Sequence, residues 1–263
     1  MTKLMNISII GGGNVAWHLT QNFTLAGLNV YEVYGRDPNE ADTFSIFTNT
    51  AYISDIKIMR PDADIYIIAV HDDAIEQVLD ELPFKITSEQ ILAHTSGARP
   101  SKILAPYAMH YGCFWPLQTL TKELPIASRQ LPVIFNGSDF VSEAHLGEIA
   151  DQISDYVMLV DDKKKSKMHL AAVMLNNFVN HINRLVSDYC KVEGLDFSIF
   201  KPLIKETALK LDLGSPSEIQ TGPAKRNDKL TIEKHLEMLE KYDELYRFYC
   251  LATESIIKKY HKI

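Results

Sequence analysis

The sequence predicts an α/β protein, in which a doubly wound, mostly parallel sheet is followed by an all-helical C-terminal domain. Short β-rich segments alternate with helical segments as far as Val160. One of them, Asp64–Val70, is almost entirely apolar, as central parallel strands are. After Asp161 apolar residues recur only at helical spacing. We therefore expect two domains, residues 1–161 and 162–263.

Each element is predicted from a short stretch of the chain. The β-rich segments predict strands over residues 6–10, 29–34, 64–70, 90–93, 132–135 and 156–160. A helix is predicted over 15–26, where Gly27 ends it. In the second half, helical spacing predicts a helix through 168–186, another over about 198–211 and a last one that includes 232–249, with a loop over 213–228. The aromatic segment 110–116 is interpreted as core.

Composition excludes several classes of protein. The 263 residues include 27 Lys and Arg against 34 Asp and Glu, which gives a net charge of −7, and 46% are hydrophobic. This is ordinary globular usage, and the mild acidity argues against nucleic-acid binding. The longest early apolar segment is far shorter than the roughly 20 residues that span a membrane. Three scattered cysteines and no secretory signature favour the cytoplasm, and no ligand spacing predicts a metal.

A glycine-rich loop follows the first predicted strand and opens the first helix. It fits the pattern G-x-G-x-x-A with Gly11, Gly13 and Ala16. Gly11 permits a tight turn, Gly13 lets the backbone approach a pyrophosphate, and Ala16 lets the helix pack closely on the strand. The helix N-terminus, with Asn14 and Val15, offers free N–H groups to phosphates. We predict dinucleotide binding here, the alternative being a structural glycine turn.

The end of the second strand predicts which dinucleotide binds. In NAD-binding proteins an acidic residue at this place contacts the ribose diol. Here Gly35 leaves room, and Arg36 supplies two donors suited to a 2′-phosphate. The sequence therefore favours NADP over NAD. The alternative is a solvated Arg36, with Asp37 as the ribose acid.

Further polar residues follow the next two strands, where ligands of such sheets bind. Val70 and His71 are expected near the cofactor, with a chemical role of His71 left open. Thr95 and Ser96 are expected to contact the nicotinamide carboxamide or a substrate carbonyl. The alternative for Ser96 is a local bond to the backbone.

The motifs together resemble a known group. GGGNVA, AVHDDAI, HTSGA, GCFWPLQT and TGPAKRND occur in this order. They resemble the Rossmann-like NADP oxidoreductases with an uncharacterised all-helical C-terminal domain. That group is related to pyrroline-5-carboxylate reductase, deazaflavin-dependent NADP oxidoreductases and the 6-phosphogluconate dehydrogenase superfamily. The resemblance covers essentially the whole chain. It implies an NADP-binding Rossmann domain, a helical domain that dimerises and a substrate cleft between them.

One residue of the wider superfamily is missing. Its β-hydroxyacid dehydrogenases place a catalytic lysine four residues before an asparagine on the first long helix of the second domain. Here Ala172 and Val173 stand four residues before Asn176 and Asn177. This departure argues against ordinary hydroxyacid oxidation.

Other candidates for chemistry lie in the second half. At 100° per residue, His169, Asn176, Asn180 and Asn183 fall within about 40° of one line on a helix. We predict His169 as a proton donor and Asn176 as its orienting partner; the alternative is a histidine bonded across a helix interface.

The TGPAKRND segment supplies two substrate candidates. Arg226 and Asp228 would anchor an anionic substrate or close the cleft. The alternatives are a surface ion pair for Arg226 and a helix cap for Asp228.

These observations predict an NADP(H)-dependent enzyme that transfers a hydride to or from a small carbonyl or imine at the cleft between domains. It is expected to be a homodimer through its helical domain, with no nucleic-acid or membrane partner. The alternatives are a non-catalytic NADP-binding or sensing module and a deazaflavin-linked NADP oxidoreductase.

Overall fold

The computed structural model describes residues 5–48, 50–127 and 129–261, without the side chains of 45–47. Residues 1–4, part of the N-terminus in which we expect no secretory signal, lie outside the described residues. The described chain forms an eight-stranded sheet in the order β3-β2-β1-β4-β5-β6-β7-β8. Its strands are β1 (Asn6–Ile10), β2 (Asn29–Tyr34), β3 (Ala51–Ile53), β4 (Ile65–Ile68), β5 (Ile91–His94), β6 (His110–Pro116), β7 (Val133–Gly137) and β8 (Val157–Leu159).

Every neighbouring pair of strands is parallel except β6 and β7. The fold class predicted from the sequence, a doubly wound and mostly parallel sheet followed by a helical region, is confirmed. The central strand β4 has an almost entirely apolar sequence because both of its faces are buried. Ile65 and Ile67 belong to the core on one side of the sheet, and Tyr66 and Ile68 to the core on the other.

Helices alternate with the strands along the first part of the chain, and after β8 the described chain contains helices and no further strands. They are α1 (Asn14–Leu25), α2 (Ala41–Thr48), α3 (Ile75–Asp80), α4 (Phe140–Ile153), α5 (Asp162–Ala172), α6 (Val179–Val192), α7 (Lys201–Leu209), α8 (Pro216–Ile219), α9 (Pro223–Arg226), α10 (Lys229–Leu239) and α11 (Asp243–Tyr260). Short 3₁₀ turns occupy Pro38–Glu40, Ile56–Ile58, Asp72–Ala74, Ser101–Leu104, Phe197–Phe200 and Lys210–Asp212. A π-helical segment, Val173–Phe178, joins α5 to α6. Nowhere in the described chain is a helix both long and apolar enough to cross a membrane.

The chain divides into two compact units, the first ending at Val173 and the second beginning at Met174. The sequence places its boundary earlier, at 161, where the strand pattern ends. The structure assigns α5 to the first unit because this helix packs on the sheet. Met168 and Ala172 of α5 contact the cluster of Cys113, Trp115, Ile134 and Val160.

Two strands were missed by the sequence prediction. The aromatic segment predicted only as core is strand β6, and its Phe114 is completely buried. It escaped assignment because large aromatic residues on both faces hide the alternation that marks a strand. Strand β3 has only three residues at the sheet edge, Ala51–Ile53, too few for a clear pattern.

The helical boundaries also differ from the prediction. The last helix, expected to include residues 232–249, is two helices, α10 and α11. The break falls before Asp243 and Glu244, whose charges favour the N-terminus of a new helix. At the break the ring of Tyr242 packs edge-on against Tyr189, with ring centroids 5.1 Å apart. The loop expected over 213–228 contains the one-turn helices α8 and α9.

Candidate functional site

The glycine loop between β1 and α1 is shaped by close backbone contact. Gly11 has a φ of +140°, and a Cβ atom there would lie 2.2 Å from the carbonyl oxygen of Ala69. A glycine is therefore required where the ends of β1 and β4 meet. At Gly13, by contrast, no heavy atom beyond Gly13 itself and its two chain neighbours lies within 4 Å of the Cβ position. The backbone of Gly13 is thus open to a ligand, while Ala16 is completely buried.

A cavity of about 460 Å³ opens at this loop, beside the carboxyl ends of β1, β2 and β4. All seven residues that we predicted for the cofactor around these three strands line it, namely Gly11, Gly13, Asn14, Val15, Arg36, Val70 and His71. Helix α1 begins at the cavity wall with Asn14, and its first turn contains no acidic residue. Its N–H groups and positive dipole end suit a pyrophosphate.

The turn after β2 distinguishes between the two dinucleotides. Arg36 is exposed and lines the cavity. Asp37 is not a lining residue. Its carboxylate accepts the backbone N–H of Asn39 at 3.0 Å and the side-chain amide of Asn39 at 2.8 Å, which caps the turn Pro38–Glu40. The group that would bind a ribose diol is therefore engaged in a cap, whereas the group that suits a 2′-phosphate faces the cavity.

Gly35, which we expected to leave room for a ligand, lines the cavity beside Arg36. Its missing side chain also makes room for Tyr52 of β3. A Cβ atom on Gly35 would lie 2.2 Å from the Tyr52 hydroxyl.

Sequence reasoning missed two further parts of the cavity wall. One is a face of α3 together with its C-cap residue, with Gln77 and Val78 on the helix and Glu81 after it. The other is the segment after β6, with Gln118, Thr119 and Leu120. The motif PLQT was the available signal for this segment, because it begins at the carboxyl end of β6, a strand that the sequence prediction did not assign.

Thr95 and Ser96 follow β5 but do not line this cavity. The Thr95 hydroxyl donates to the carbonyl of Ile68 at 3.2 Å. Ser96 Oγ accepts the N–H groups of Ala98 at 3.2 Å and Arg99 at 2.9 Å. Ser96 thus makes the local backbone bonds that we gave as its alternative, and contact of either hydroxyl with a ligand stays a prediction.

His169 lies beside the same turn. Its ring is 5.7 Å from that of Trp115 between centroids. A Cβ atom on Gly97 would lie 2.7 Å from Cδ2 of His169. The structure therefore brings His169 to the segment that contains Ser96, with its ring half-buried against Trp115.

A buried ion pair holds helix α5 in this place. Lys165 is completely buried, and its Nζ donates to the carbonyl of Arg99 at 2.6 Å and pairs with Asp162 at 3.1 Å. Asp162 also accepts from the N–H and hydroxyl of Ser101, both at 2.9 Å, and from the amide of Asn136 at 2.9 Å. Burial alone would raise the pKa of Asp162, but these bonds lower it below its usual value.

Lys165 stands four residues before His169, one helical turn away. This spacing from His169 was the only sign of Lys165 in the sequence. The expected pattern was instead a lysine four residues before an asparagine. Because its side chain has 0% exposure, Lys165 is not accessible to a substrate.

His94, at the end of β5, is held neutral near this ion pair. Burial, and next the charge of Lys165, lower its pKa to about 4. Its Nδ1 accepts the N–H of Ser96 at 3.1 Å, so the neutral ring fixes the start of the Ser96 turn.

The polar stripe predicted on the long helix is wrong as a continuous line. It assumed 100° per residue from His169 to Asn183, but the π-helical segment Val173–Phe178 lies between them. A π turn holds more residues than an α turn, so the periodicity changes across it. Asn176 lies within this segment and is exposed. Its role as an orienting residue stays a prediction.

Both substrate candidates lie in the second unit, on or beside α9. Arg226 is exposed at the end of α9. Asp228 caps α10, where its carboxylate accepts the N–H of Thr231 at 3.2 Å and the hydroxyl of Thr231 at 2.8 Å. These bonds lower the pKa of Asp228. The cap is the alternative that we gave for Asp228, and substrate binding by either residue stays a prediction.

Two family models match the chain. The model described as "NADP oxidoreductase coenzyme F420-dependent" matches residues 6–95. The model described as "Domain of unknown function (DUF2520)" matches residues 131–256. A search of curated proteins finds no match.

Solved structures resemble the chain over nearly its full length. A Bacteroides fragilis protein described as a candidate NADP oxidoreductase is 32% identical, with 97% of this chain and 98% of that chain covered and a TM-score of 0.87. A reductive aminase from Aspergillus terreus, in complex with NADPH and ethyl levulinate, is 14% identical, with coverages of 98% and 95% and a TM-score of 0.68. A pyrroline-5-carboxylate reductase from Coxiella burnetii is 17% identical, with coverages of 98% and 97% and a TM-score of 0.61. The last two similarities concern the fold alone.

Proposed function

Because the chain belongs to the NADP oxidoreductase family of its Bacteroides fragilis relative, we propose that it transfers a hydride between NADP(H) and a small carbonyl or imine compound. Family membership confirms the resemblance seen in the sequence motifs, and the cofactor is NADP(H). The observation that carries the reaction proposal is the position of His169. A half-buried imidazole lies beside the turn that follows β5, and β5 is hydrogen-bonded to β4, whose following residues Ala69 and Val70 line the cavity.

The residues of the cavity fit this cofactor. Its volume of about 460 Å³ lies in the usual range for small-molecule sites. The open backbone at Gly13 and the N-terminus of α1 would hold the pyrophosphate, and Arg36 would pair with the 2′-phosphate. When bound, NADPH supplies a hydride. Val70 and His71, after β4, would line the nicotinamide end of the cavity.

Reduction of a carbonyl or an imine also needs a proton at the oxygen or nitrogen atom. We assign this proton to His169, since histidine is the side chain that most often acts as a general acid or base in enzymes. Trp115 limits the movement of the ring, and Ser96 would orient the substrate from the turn beside it. Asn176 is proposed as a further orienting residue.

Imines are the first substrates to test. The similar structures include a reductive aminase and a pyrroline-5-carboxylate reductase, and both names refer to carbon–nitrogen chemistry. The lysine of hydroxyacid dehydrogenases is missing at its usual spacing, which leaves hydroxyacids less favoured. A deazaflavin-linked reaction is the second candidate, because the description of the family model that matches residues 6–95 names coenzyme F420, a deazaflavin.

We also propose that the protein is a homodimer through its helical unit. This proposal is supported by exposed apolar side chains at and after the π-helical segment. Leu175 is 77% exposed and Phe178 58% exposed, with Met174 and Val179 nearby. Apolar side chains clustered in this way usually mark an interface, and a second copy is the commonest partner of soluble chains.

Turnover of a substrate panel tests the reaction. Purified protein and NADPH are mixed with cyclic imines, with ketones plus amines, and with ketones alone, and loss of NADPH is followed. We expect reduction of at least one imine, a loss of about 100-fold in kcat in His169→Ala, and unchanged NADPH affinity. The control is His145→Ala on α4, whose ring bonds the carbonyl of Val141 in the preceding helical turn.

Other outcomes point to the alternatives. NADPH binding without turnover of any panel member would favour a sensing module. Loss of NADPH only with an oxidised deazaflavin as the hydride acceptor would favour the F420-linked enzyme. Full activity of His169→Ala would remove the proton donor from the proposal.

A further inference from the structure

Tyr52, on the edge strand β3, is bound to the turn that carries Arg36. Its hydroxyl donates to the carbonyl oxygen of Asp37 at 2.7 Å. Its ring packs on the completely buried Phe44, with ring centroids 5.2 Å apart. The hydroxyl therefore projects from a fixed ring onto the turn.

Two cavity-lining glycines meet at this hydroxyl. A Cβ atom on Gly35 would lie 2.2 Å from Tyr52 Oη, and one on Gly12 would lie 2.9 Å from it. The Cα atom of Gly12 is also 2.9 Å from the Cβ position of Gly35. The missing side chains at both positions thus admit the tyrosine to the point where the glycine loop and the Arg36 turn approach each other.

Arg36 is held between two hydrogen bonds to β3. On one side, the N–H of Gly35 donates to the carbonyl of Ile53 at 3.1 Å. On the other, the carbonyl of Asp37 accepts from Tyr52. The backbone on both sides of Arg36 is therefore tied to the sheet edge, which lowers the entropy lost when its side chain binds a ligand.

The Tyr52 hydroxyl remains a donor at working pH. Burial is the main cause that raises its pKa, to about 12, and the charges of Glu40 and Asp37 add to the effect. The second bond to the turn is therefore kept throughout the physiological range.

We propose that Tyr52 is a positioning residue for cofactor selectivity, whose hydroxyl holds the turn Gly35–Asp37 so that Arg36 reaches the 2′-phosphate of NADP. The proposal rests on the assigned role of Arg36 but not on the proposed reaction. Tyr52 acts through Arg36, and its effect depends on the presence of the 2′-phosphate.

Adenosine 2′,5′-bisphosphate and ADP, which lacks the 2′-phosphate, separate this role from a structural one. Calorimetric titrations compare their binding to the wild-type protein and to Tyr52→Phe, which removes only the hydroxyl. We expect Tyr52→Phe to weaken the bisphosphate about three- to tenfold, as for the loss of one hydrogen bond, and to change ADP by less than about twofold. The control is Tyr107→Phe, whose hydroxyl donates to Asp80 at 2.9 Å and which does not line the cavity at the glycine loop.

A double-mutant cycle with Arg36→Ala completes the test. If Tyr52 acts through Arg36, Tyr52→Phe has no further effect on bisphosphate binding in the Arg36→Ala protein. Equal weakening of both ligands would show a merely structural residue and overturn the proposal. A persistent effect without Arg36, or no effect of Arg36→Ala alone, would overturn it as well. Because the titrations need no turnover, their outcome is independent of the reaction assigned above.

Discussion

The ring of His169 lies against that of Trp115, with centroids 5.7 Å apart, and both rings close over Gly97. A Cβ atom at Gly97 would be 2.6 Å from Trp115 and 2.7 Å from His169. The His169 ring, the proposed proton donor, can therefore take this position only because Gly97 has no side chain. This relationship joins the HTSGA segment to α5, far apart in the sequence.

Gly97→Ala tests this arrangement. The added methyl group must displace one of the two rings, so we expect a loss of about 1–3 kcal/mol in the free energy of unfolding. Turnover is expected to fall further than stability predicts, because His169 moves, while NADPH affinity is kept. Chemical denaturation measures the stability, loss of NADPH with a substrate measures the turnover, and NADPH titration measures the affinity. Gly214→Ala, where the nearest atom lies 3.4 Å from the Cβ position, is the control. Unchanged activity of Gly97→Ala would contradict a role for the ring position.

Two glycines of one loop are expected to respond differently. Gly11→Ala places its methyl group against the Ala69 carbonyl at a φ of +140°, so both folding stability and NADPH binding are expected to fall. The methyl group of Gly13→Ala meets no atom beyond its chain neighbours within 4 Å, so this variant is expected to keep its stability and lose NADPH affinity by about tenfold or more. Thermal melting and fluorescence titration give the two readouts. A stable Gly13→Ala with wild-type affinity would place the pyrophosphate elsewhere.

Stability is expected to fall when the pH is lowered from about 6.5 to about 4. The native His94 has its pKa lowered to about 4, mainly by burial, whereas an unfolded histidine accepts a proton near 6.5. Between these values only the unfolded chain is protonated, so acid favours unfolding by up to about 3 kcal/mol. Urea denaturation at a series of pH values measures this loss. In His94→Gln the slope over this interval is expected to decrease, and an unaltered slope would assign it to other groups.

Removal of the buried ammonium group leaves Asp162 without its ion-pair partner. We expect Lys165→Met to lose about 3 kcal/mol of stability, at the low end for a broken buried pair because Asp162 is half-buried and keeps its bonds from Ser101 and Asn136. Lys164→Met, at an exposed position of the same helix, should change it by less than about 0.5 kcal/mol. Urea denaturation compares the two variants, and similar losses would refute the importance of burial.

A charge in the exposed apolar cluster is expected to prevent dimer formation. Leu175→Asp would place a carboxylate in the proposed interface, where desolvation of the charge is unfavourable. Light scattering is expected to give a dimer for the wild-type protein and a monomer for Leu175→Asp. The control is Leu25→Asp. Leu25 is an exposed leucine like Leu175 but lies at the end of α1, outside the proposed interface, so this variant should remain a dimer. A wild-type monomer would refute the proposal.

Most of the Rossmann architecture and of the cofactor cavity follows from short stretches of sequence. The glycine loop, Arg36 and the residues after β4 each lie at the end of a strand, where parallel strands bring ligand contacts together. Their chemistry therefore depends on local backbone conformation and on strand order, both of which leave a pattern in the sequence. Strands β3 and β6 were missed because a short edge strand and a doubly buried aromatic strand show no alternation.

Only the tertiary structure determined which side chains face the cavity and which residues distant in the sequence are in contact. Asp37 and Arg36 are neighbours in sequence, yet only one lines the cavity, because the other caps a turn. The contact of Gly97 with His169 and the hydroxyl of Tyr52 beneath Gly35 join residues distant along the chain. The π-helical segment changes the helical periodicity between α5 and α6. Close packing determines such relationships through space, and a sequence pattern, which records only separations along the chain, does not contain them.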